Sequence, residues 1–290
     1  MCRWLAYSGS PIRLEVLLYK PAHSLIDQSL HARMGVETTN GDGFGIGWYP
    51  ADQGGPGLGE PGRVVEPAVF RGTGPAWSDR NLRELARCVS SPLFVAHIRA
   101  STGTAVQQTN CHPFRHGPWL WLHNGSIRAF PELKRDLMVA VDASLFPFIE
   151  GSTDSELMFH LALTFGLRED VPGAVERMAG FVEATAARHG VADALQMTVA
   201  VSEGTRLWAF RYSSERASRS LYFSTSVQAL RALHPDNPVL QMASEQARII
   251  VSEPLGDLPG AWNPVPESSY AVVQEGHDAI RTFRPQAAAV

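Results

Sequence analysis

The chain opens with the stretch Met1-Cys2-Arg3-Trp4-Leu5-Ala6-Tyr7, and the run from Arg3 to Tyr7 predicts a short β-strand. Cys2 is its most informative residue, because it becomes the terminal residue if Met1 is removed. The α-amino group then lies beside the thiol, and its reference pKa of about 7.7–8 lets it take the thiol proton near neutral pH. Cys2 is therefore a candidate nucleophile that carries its own base. A buried structural cysteine, or a lipidated one, is the alternative.

Further along the chain, strands come first, then helices, then strands again. Leu93 to Ile98 and Trp119 to His123 have the apolar character of buried strands. The capping box Thr153-Asp154-Ser155-Glu156 predicts the start of a helix, and Val171 to His189 predicts a second helix. Later strands are predicted at 196–202, 206–212, 221–225, 248–251, 270–274 and 279–283. This order favours an α+β layered fold over a doubly wound parallel sheet.

The sequence shows no linker, repeat or low-complexity segment, so residues 1–290 are expected to form one domain. A Gly- and Pro-rich segment at 51–62 is expected to be an exposed loop. The best candidate for a boundary is the loop at 253–267, and the chain beyond it is expected to add a C-terminal hairpin from about residue 268.

The composition argues against several classes of protein. The 290 residues are 44% hydrophobic and carry a net charge of −4 without a basic block, so nucleic acid is not an expected partner. No apolar run approaches the ~18 residues of a membrane span, and the N-terminus lacks the pattern of a signal peptide. The three cysteines, Cys2, Cys88 and Cys111, do not indicate a disulfide framework, so a cytoplasmic location is expected.

Arg99 closes the predicted strand that ends at Ile98, and Ser101 and Thr102 follow it. An arginine presents a planar fork that holds a carboxylate through two hydrogen bonds, and a neighbouring hydroxyl adds a further donor. Arg99 is therefore a candidate ligand of a substrate carboxylate. A surface ion pair at a strand end is the commoner role for such a residue and is the alternative.

Asn124 and Gly125 follow the predicted strand that ends at His123. An Asn amide and a Gly backbone N–H form a pair of donors suited to an oxyanion, and glycine lets a substrate approach closely. An ordinary turn is the alternative. Asp154, in the first turn of the predicted helix, is a candidate ligand of a substrate ammonium group, although the helix dipole favours an acidic residue there in any case.

Two other groups of residues are not supported as sites. Cys111, His112, His116 and His123 match no common zinc spacing, so no metal is expected. The glycine-rich run at 41–47 fits neither the dinucleotide fingerprint nor the P-loop pattern, and it leads into a predicted strand and not into a helix. No nucleotide or other cofactor is therefore expected.

Taken in order, these motifs resemble those of the class II glutamine amidotransferases, a family of N-terminal-nucleophile hydrolases. The series is Met1-Cys2, Asn40-Gly41-Asp42-Gly43-Phe44-Gly45, His97-Ile98-Arg99, His112-Pro113-Phe114, His123-Asn124-Gly125 and Thr153-Asp154-Ser155-Glu156. The resemblance implies a four-layer αββα sandwich, with two antiparallel sheets between layers of helices.

The resemblance also implies a reaction. The expected activity is hydrolysis of the side-chain amide of glutamine, or of a related γ-glutamyl compound, through a thioester on the enzyme. Cys2 is the implied nucleophile, with its own α-amine as the general base. Asn124 and the Gly125 N–H are the implied oxyanion hole.

The same resemblance assigns residues to the substrate. Arg99, helped by Thr102, holds the α-carboxylate of glutamine, and Asp154 holds the α-ammonium group. The residue types favour the same assignment, because the two charged ends of an amino acid need one cation and one anion. His112 matches a motif position near the substrate pocket.

Two further functions remain open on the sequence alone. The first is a glutaminase subunit that delivers ammonia to a separate synthase partner, and a peptidase partner is also considered. The second is an inactive protein that binds a γ-glutamyl ligand. The expected ligand in every case is a small molecule, glutamine or a γ-glutamyl amide.

Overall fold

The structure is a computed structural model that describes residues 2–34, 38–50, 65–101, 103–274 and 276–288. The strands are β1 (Arg3–Arg13), β2 (Phe44–Tyr49), β3 (Ala68–Gly72), β4 (Ser90–Ile98), β5 (Phe114–His116), β6 (Trp119–Ile127), β7 (Leu195–Ser202), β8 (Leu207–Ser213), β9 (Tyr222–Ser224), β10 (Arg248–Val251), β11 (Trp262–Pro264), β12 (Ser269–Gln274) and β13 (His277–Thr282). The helices are α1 (Glu15–Leu18), α2 (Leu25–His31), α3 (Arg80–Cys88), α4 (Phe130–Val139), α5 (Asp154–Thr164), α6 (Val171–Arg188), α7 (Val227–Leu233) and α8 (Pro238–Met242). The loop predicted at 51–62 lies outside the described residues.

The strands form two sheets. The first has seven strands in the order β11-β9-β10-β1-β4-β2-β3, and the second has six in the order β13-β12-β8-β7-β6-β5. All the strand pairs found in the described chain are antiparallel. This confirms the predicted α+β fold with antiparallel sheets. The hairpin predicted from about residue 268 consists of β12 and β13, and β12 pairs with β8.

Side-chain alternation along the strands divides the interior into three apolar layers. At even positions of β1, Trp4 and Ala6 face the second sheet, where they pack with residues such as Leu122 of β6. At odd positions, Leu5 and Tyr7 pack under α1, α2 and α3. The outer face of the second sheet packs against α4, α5 and α6. The result is the predicted four-layer αββα sandwich.

Helix α5 is buried along most of its length, and Asp154 is its first residue. Its start is set by the predicted capping box, because Thr153 Oγ1 accepts a hydrogen bond from Glu156 N at 3.2 Å. The Glu156 carboxylate does not complete the reciprocal bond of such a box. It accepts instead from Glu150 N and Gly151 N, at 2.8 and 2.7 Å. These bonds tie the preceding loop to the helix and fix the position of Asp154.

The structure differs from the sequence expectations in three places. β1 continues to Arg13 and β6 to Ile127, so both strands are longer than predicted. α4 was not predicted at all; it begins after Ala129, which has a left-handed φ of 54°, and it has a proline in its first turn. Among the described helices, none is long and apolar enough to cross a membrane.

Candidate active site

The pairing of β1 with β4 places Cys2. Arg3 lies opposite Ile98 in this antiparallel pair, so Cys2 and Arg99 are the next residues on the two strands. Side chains at even positions of β1 face the second sheet, and Cys2 continues that series. The Cys2 Sγ lies 3.5 Å from both the N and the O of Ala100. The thiol therefore sits at the end of the first sheet, turned towards the second.

Asn124 and Gly125 lie inside β6 and not in a turn that follows it. Just past the strand end, Arg128 N donates to Ala194 O at 2.7 Å, so backbone groups at even positions of β6 face β7. Backbone groups at odd positions of β6 face the opposite edge of the strand. β5 pairs with that edge only as far as Trp121, so among the described strands the edge is unpaired at Gly125. Ile127 N uses that open edge to donate to the carboxylate of Asp154. The Gly125 N–H points from the same edge, and the turn considered from the sequence is wrong.

Gly125 is required by close packing of the two strands. Its φ is 157°, and a Cβ placed on it would lie 1.9 Å from Gln196 O on β7. The same Cβ would lie 2.7 Å from His123 Nε2. Any larger residue must push these groups apart, so the exposed N–H depends on glycine at this position.

Asn124 faces the gap between the sheets. Its Nδ2 donates to the backbone O of Cys2 at 3.0 Å. Its own carbonyl accepts from Thr198 Oγ1 at 3.3 Å, and that hydroxyl accepts from Trp4 Nε1 at 3.1 Å. Asn124 is thus held against the main chain of Cys2.

Arg99 is an interior residue. Only 4% of it is exposed, so the surface ion pair considered from the sequence is wrong. Its guanidinium donates to Asp42 O at 3.2 Å, to Ser101 Oγ at 3.1 Å and to Thr104 Oγ1 at 2.6 Å. These bonds use three of the five N–H donors of the side chain. Among the described residues the remaining donors have no partner, which leaves them for a ligand.

Each carboxylate oxygen of Asp154 accepts a hydrogen bond from a backbone N–H group. Its Oδ2 accepts from Ile127 N at 2.9 Å, and its Oδ1 accepts from Ser155 N at 2.7 Å. Ser155 Oγ lies 3.3 Å from the same Oδ1 and 2.7 Å from Nδ1 of His123. The carboxylate is half-buried, whereas Ser155 and His123 are buried.

These groups open onto one cavity of about 290 Å³, called the first cavity below. Five of the seven predicted site residues line it: Cys2, Arg99, His112, Gly125 and Asp154. Asn124 touches Cys2 but does not line the first cavity, and Thr102 lies outside the described residues. The sequence therefore identified most of one spatial cluster from five separate segments.

Burial dominates the electrostatics of this cluster. It raises the pKa of the Cys2 thiol, an effect that the hydrogen bond with Ala100 and the positive charges of Arg99 and Arg3 partly offset. Burial also lowers the pKa of His97 to about 3 and the pKa of His112 well below its ordinary value.

The two uncharged rings of His97 and His112 pack against each other, with centroids 4.2 Å apart and ring planes tilted by 33°. Within the described residues, neither ring nitrogen of His112 has a hydrogen-bond partner. His112 therefore offers a neutral polar group at the wall of the first cavity. No set of three or more His, Cys, Asp or Glu side chains in the described ranges is arranged to hold a metal ion.

The sequence analysis assigned no function to several residues that line the first cavity. Thr104 Oγ1 accepts from Arg99, and Ser155 N donates to Asp154. Their only signal was closeness in sequence to those charged residues. Phe130 and Pro131 line the first cavity from α4, and they were missed because that helix was not predicted.

The chain resembles known proteins over most of its length. A family model described as class II glutamine amidotransferases matches residues 19–289. The probable glutamine amidotransferase DUG3 of Saccharomyces cerevisiae is 33% identical over an alignment 300 residues long that covers 95% of this chain and 82% of that protein. The γ-glutamyl-hercynylcysteine sulfoxide hydrolase of Mycolicibacterium smegmatis is 26% identical over an alignment 286 residues long that covers 97% of this chain and 99% of that protein.

Solved structures share the fold. A glutamine aminotransferase class-II domain protein from Silicibacter pomeroyi has a TM-score of 0.69 at 30% identity, over 98% of this chain and all of that one. The glutamine phosphoribosylpyrophosphate amidotransferase of B. subtilis has a TM-score of 0.63 at 15% identity. The match covers 99% of this chain but 50% of that chain, and it bears on the fold alone. With the motif order, the family model and the yeast relative in agreement, the chain is an enzyme that belongs to the class II glutamine amidotransferases.

Proposed function

We propose that the protein hydrolyses the side-chain amide of glutamine, or of a related γ-glutamyl compound, with Cys2 as the nucleophile. The observation that carries this proposal is the shared first cavity. It brings together the Cys2 thiol, the cationic Arg99 and the anionic Asp154. A γ-glutamyl group has a carboxylate and an ammonium group at one end and an acyl carbon at the other, so it needs these three groups together.

The base in this proposal is the α-amine that removal of Met1 exposes on Cys2. Because burial raises the pKa of the thiol, a thiolate has to be generated by proton transfer during the reaction. The α-amine takes the proton, and the thiolate sulfur forms a bond to the γ-carbonyl carbon. The C–N bond then breaks, and the leaving nitrogen receives the proton from the α-ammonium group.

The second half of the reaction hydrolyses the thioester. A water molecule gives a proton to the free α-amine while its oxygen attacks the acyl carbon. The C–S bond breaks, the thiol is restored, and glutamate is released. Both halves develop negative charge on the same carbonyl oxygen, so one oxyanion hole serves both.

Gly125 N–H and the Asn124 amide are the proposed donors to that oxygen. The support for Gly125 is its backbone N–H at the open edge of β6, beside the cavity that Cys2 lines. Asn124 Nδ2 lies 3.0 Å from the Cys2 carbonyl, so a rotation of its side chain is needed to bring it to a substrate.

The charged ends of the substrate are assigned to the remaining cavity residues. Arg99 keeps two donors for the α-carboxylate, and we propose that Thr102 assists it. Asp154 keeps an acceptor position on Oδ2 for the α-ammonium group. His112, neutral and without a partner in the described chain, is proposed to contact the substrate or a water bound to it.

The leaving group is proposed to be ammonia or a substituted amine. The M. smegmatis relative is named as a hydrolase of γ-glutamyl-hercynylcysteine sulfoxide, which favours a substituted γ-glutamyl amide. Comparing glutamine with γ-glutamyl amides of increasing size as substrates decides between the two. Turnover that appears only after a second protein is added would instead favour a subunit that feeds ammonia to a synthase.

The decisive experiment is the intact mass of the purified protein before and after incubation with diazo-oxo-norleucine, an electrophilic analogue of glutamine. Loss of Met1 and a single adduct on Cys2 are expected. Cys88→Ala, at an exposed cysteine, is the matched control and should still form the adduct. Retained Met1 with no adduct on Cys2 would contradict the proposed mechanism.

A further inference from the structure

Three side chains lie in series at the wall of the first cavity. His123 Nδ1 is 2.7 Å from Ser155 Oγ, and Ser155 Oγ is 3.3 Å from Asp154 Oδ1. All three residues line the cavity. The proposed function uses Asp154 and assigns nothing to the other two.

The direction of these bonds follows from what each atom can donate. His123 Nε2 lies 3.4 Å from Gln196 O, which can only accept, so a neutral ring carries its hydrogen on Nε2. Nδ1 is then an acceptor, and the Ser155 hydroxyl donates to it. Because this hydroxyl has one hydrogen, it cannot donate to Asp154 at the same time.

Protonation of His123 reverses the direction of its hydrogen bond with Ser155. Nδ1 then carries a hydrogen and donates to Ser155 Oγ, and the hydroxyl hydrogen turns to Asp154 Oδ1. That oxygen already accepts from Ser155 N, so both of its lone pairs become occupied. The carboxylate keeps one free acceptor position, on Oδ2, where it had two.

We propose that His123 and Ser155 are positioning residues that set how strongly Asp154 holds the α-ammonium group of the substrate. With a neutral His123, both carboxylate oxygens of Asp154 accept from the ammonium group. With a charged His123, one of them is taken by Ser155, and the imidazolium charge also repels the ligand. This inference rests on the proposed function, because it takes Asp154 as the ammonium site.

The surroundings of His123 support a neutral ring at neutral pH. Burial lowers the pKa of His123, and the nearby charge of Asp154 opposes that shift. His97 and His112 are the other titratable groups close to the ring, and burial keeps both uncharged. Since the pKa of His123 lies below its ordinary value, the charged form appears only as the pH falls below that value. Binding of an α-ammonium group should therefore weaken on the acid side.

The test compares two ligands that differ only in the α-amino group, glutamine and glutaramate. Their dissociation constants are measured by calorimetry on the Cys2→Ala variant, so that no turnover occurs, from about pH 7.5 down to the lowest pH at which its circular dichroism is unchanged, with the charge of His123 followed by NMR. The preference for glutamine is expected to fall about tenfold towards acid pH, the loss of one charge-assisted hydrogen bond. The ratio cancels effects of pH that the two ligands share.

Three variants, each combined with Cys2→Ala, test the hydrogen bonds between His123, Ser155 and Asp154. With His123→Gln, which keeps an acceptor and cannot be charged, the preference should be independent of pH. Ser155→Ala should reduce the change to about twofold, since only the direct charge effect remains. His116→Gln, at a histidine outside the first cavity, should keep the pH dependence of the Cys2→Ala parent.

The outcomes separate this inference from the proposed function. A clear preference for glutamine that does not change with pH overturns the role of His123 and Ser155 and leaves the proposed function intact. A full tenfold change in Ser155→Ala also overturns it, because the hydroxyl then takes no part. No preference for glutamine at any pH overturns the assignment of Asp154, and the inference falls with it.

Discussion

Two cavities border the start of α5, and the larger one is not the better candidate for catalysis. The first cavity, of about 290 Å³, takes Asp154 and Ser155 from this helix. A second cavity, of about 410 Å³, takes Glu156 from the same first turn and His160 from the turn after it. The second cavity also holds more ionisable side chains, and a ranking by size and charge alone would choose it.

The difference lies in how the charged groups are used. In the second cavity, Arg71 donates to Pro113 O at 3.0 Å, and the Glu156 carboxylate accepts two backbone N–H groups. These charges mainly hold loops in place. No cysteine is among the described residues that line the second cavity. The first cavity combines a thiol, a strand-edge N–H and opposite charges with donors and acceptors to spare, which is what acyl transfer requires.

The strongest test of this contrast removes the thiol. Cys2→Ala is expected to lower kcat/KM by at least about a thousandfold, since the described lining of the first cavity holds no second thiol. Circular dichroism and thermal unfolding should match those of the wild type, because Cys2 precedes β1 and carries no core packing. Steady-state assays with glutamine and γ-glutamyl amides measure the effect. Normal turnover in this variant would rule out Cys2 as the nucleophile.

The next test compares one glycine from each cavity. Gly125→Ala is expected to cost about 3 kcal/mol in the free energy of unfolding and about a hundredfold in kcat, because the added Cβ collides with Gln196 O. Gly117→Ala in the second cavity has open space around its Cβ and a φ of 54°. It should cost about 1–2 kcal/mol from backbone strain and leave kcat unchanged. Equal losses of kcat in the two variants would refute the assignment of Gly125.

A third test compares one carboxylate from each cavity by the same change of charge. Asp154→Asn is expected to raise KM about ten- to a hundredfold for a substrate with an α-ammonium group, through loss of a charge-assisted hydrogen bond. Glu150→Gln removes an exposed charge at the second cavity and should leave KM unchanged. An Asp154→Asn enzyme with an unaltered KM would mean that the ammonium group binds elsewhere.

The variant with the smallest expected effect on kcat/KM tests whether the second cavity takes part in substrate binding. Arg115→Ala removes an exposed arginine that donates to Pro67 O at 3.0 Å, and kcat/KM is expected to stay within about twofold of the wild type. A surface hydrogen bond of this kind contributes little to stability, so the thermal midpoint should move by a few degrees at most. A large drop in kcat/KM would show that the second cavity binds part of the substrate.

Much of the fold was accessible from local patterns. The buried strands near Leu93 and Trp119 and the helix that starts after Thr153 were predicted from apolar runs and a capping box, and each is confirmed. α4 was missed because its N-cap, Ala129, offers no side-chain acceptor. Such a helix forms because packing on its neighbours stabilises it, and that contribution is invisible in a local window.

Some residues of the candidate site were likewise predictable from local sequence, and others were not. Cys2, Arg99 and Asp154 were singled out because their residue types suit a nucleophile, a carboxylate ligand and an ammonium ligand. The Asn124-Gly125 pair was compatible with a turn until the register of β6 with β7 showed it inside a strand. Register depends on residues about seventy positions away, so no local rule decides it.

The sequence by itself determined the order of strands and helices, the kinds of chemistry that the chain can carry and most of the residues that we propose for it. Only the tertiary structure decided which of those residues meet. It placed the Gly125 N–H on an open edge, turned Asn124 to the main chain of Cys2, and put Ser155 between His123 and Asp154. The physical reason is that residue type sets what an atom can donate or accept, whereas strand pairing and burial set which partner is within about 3 Å of it.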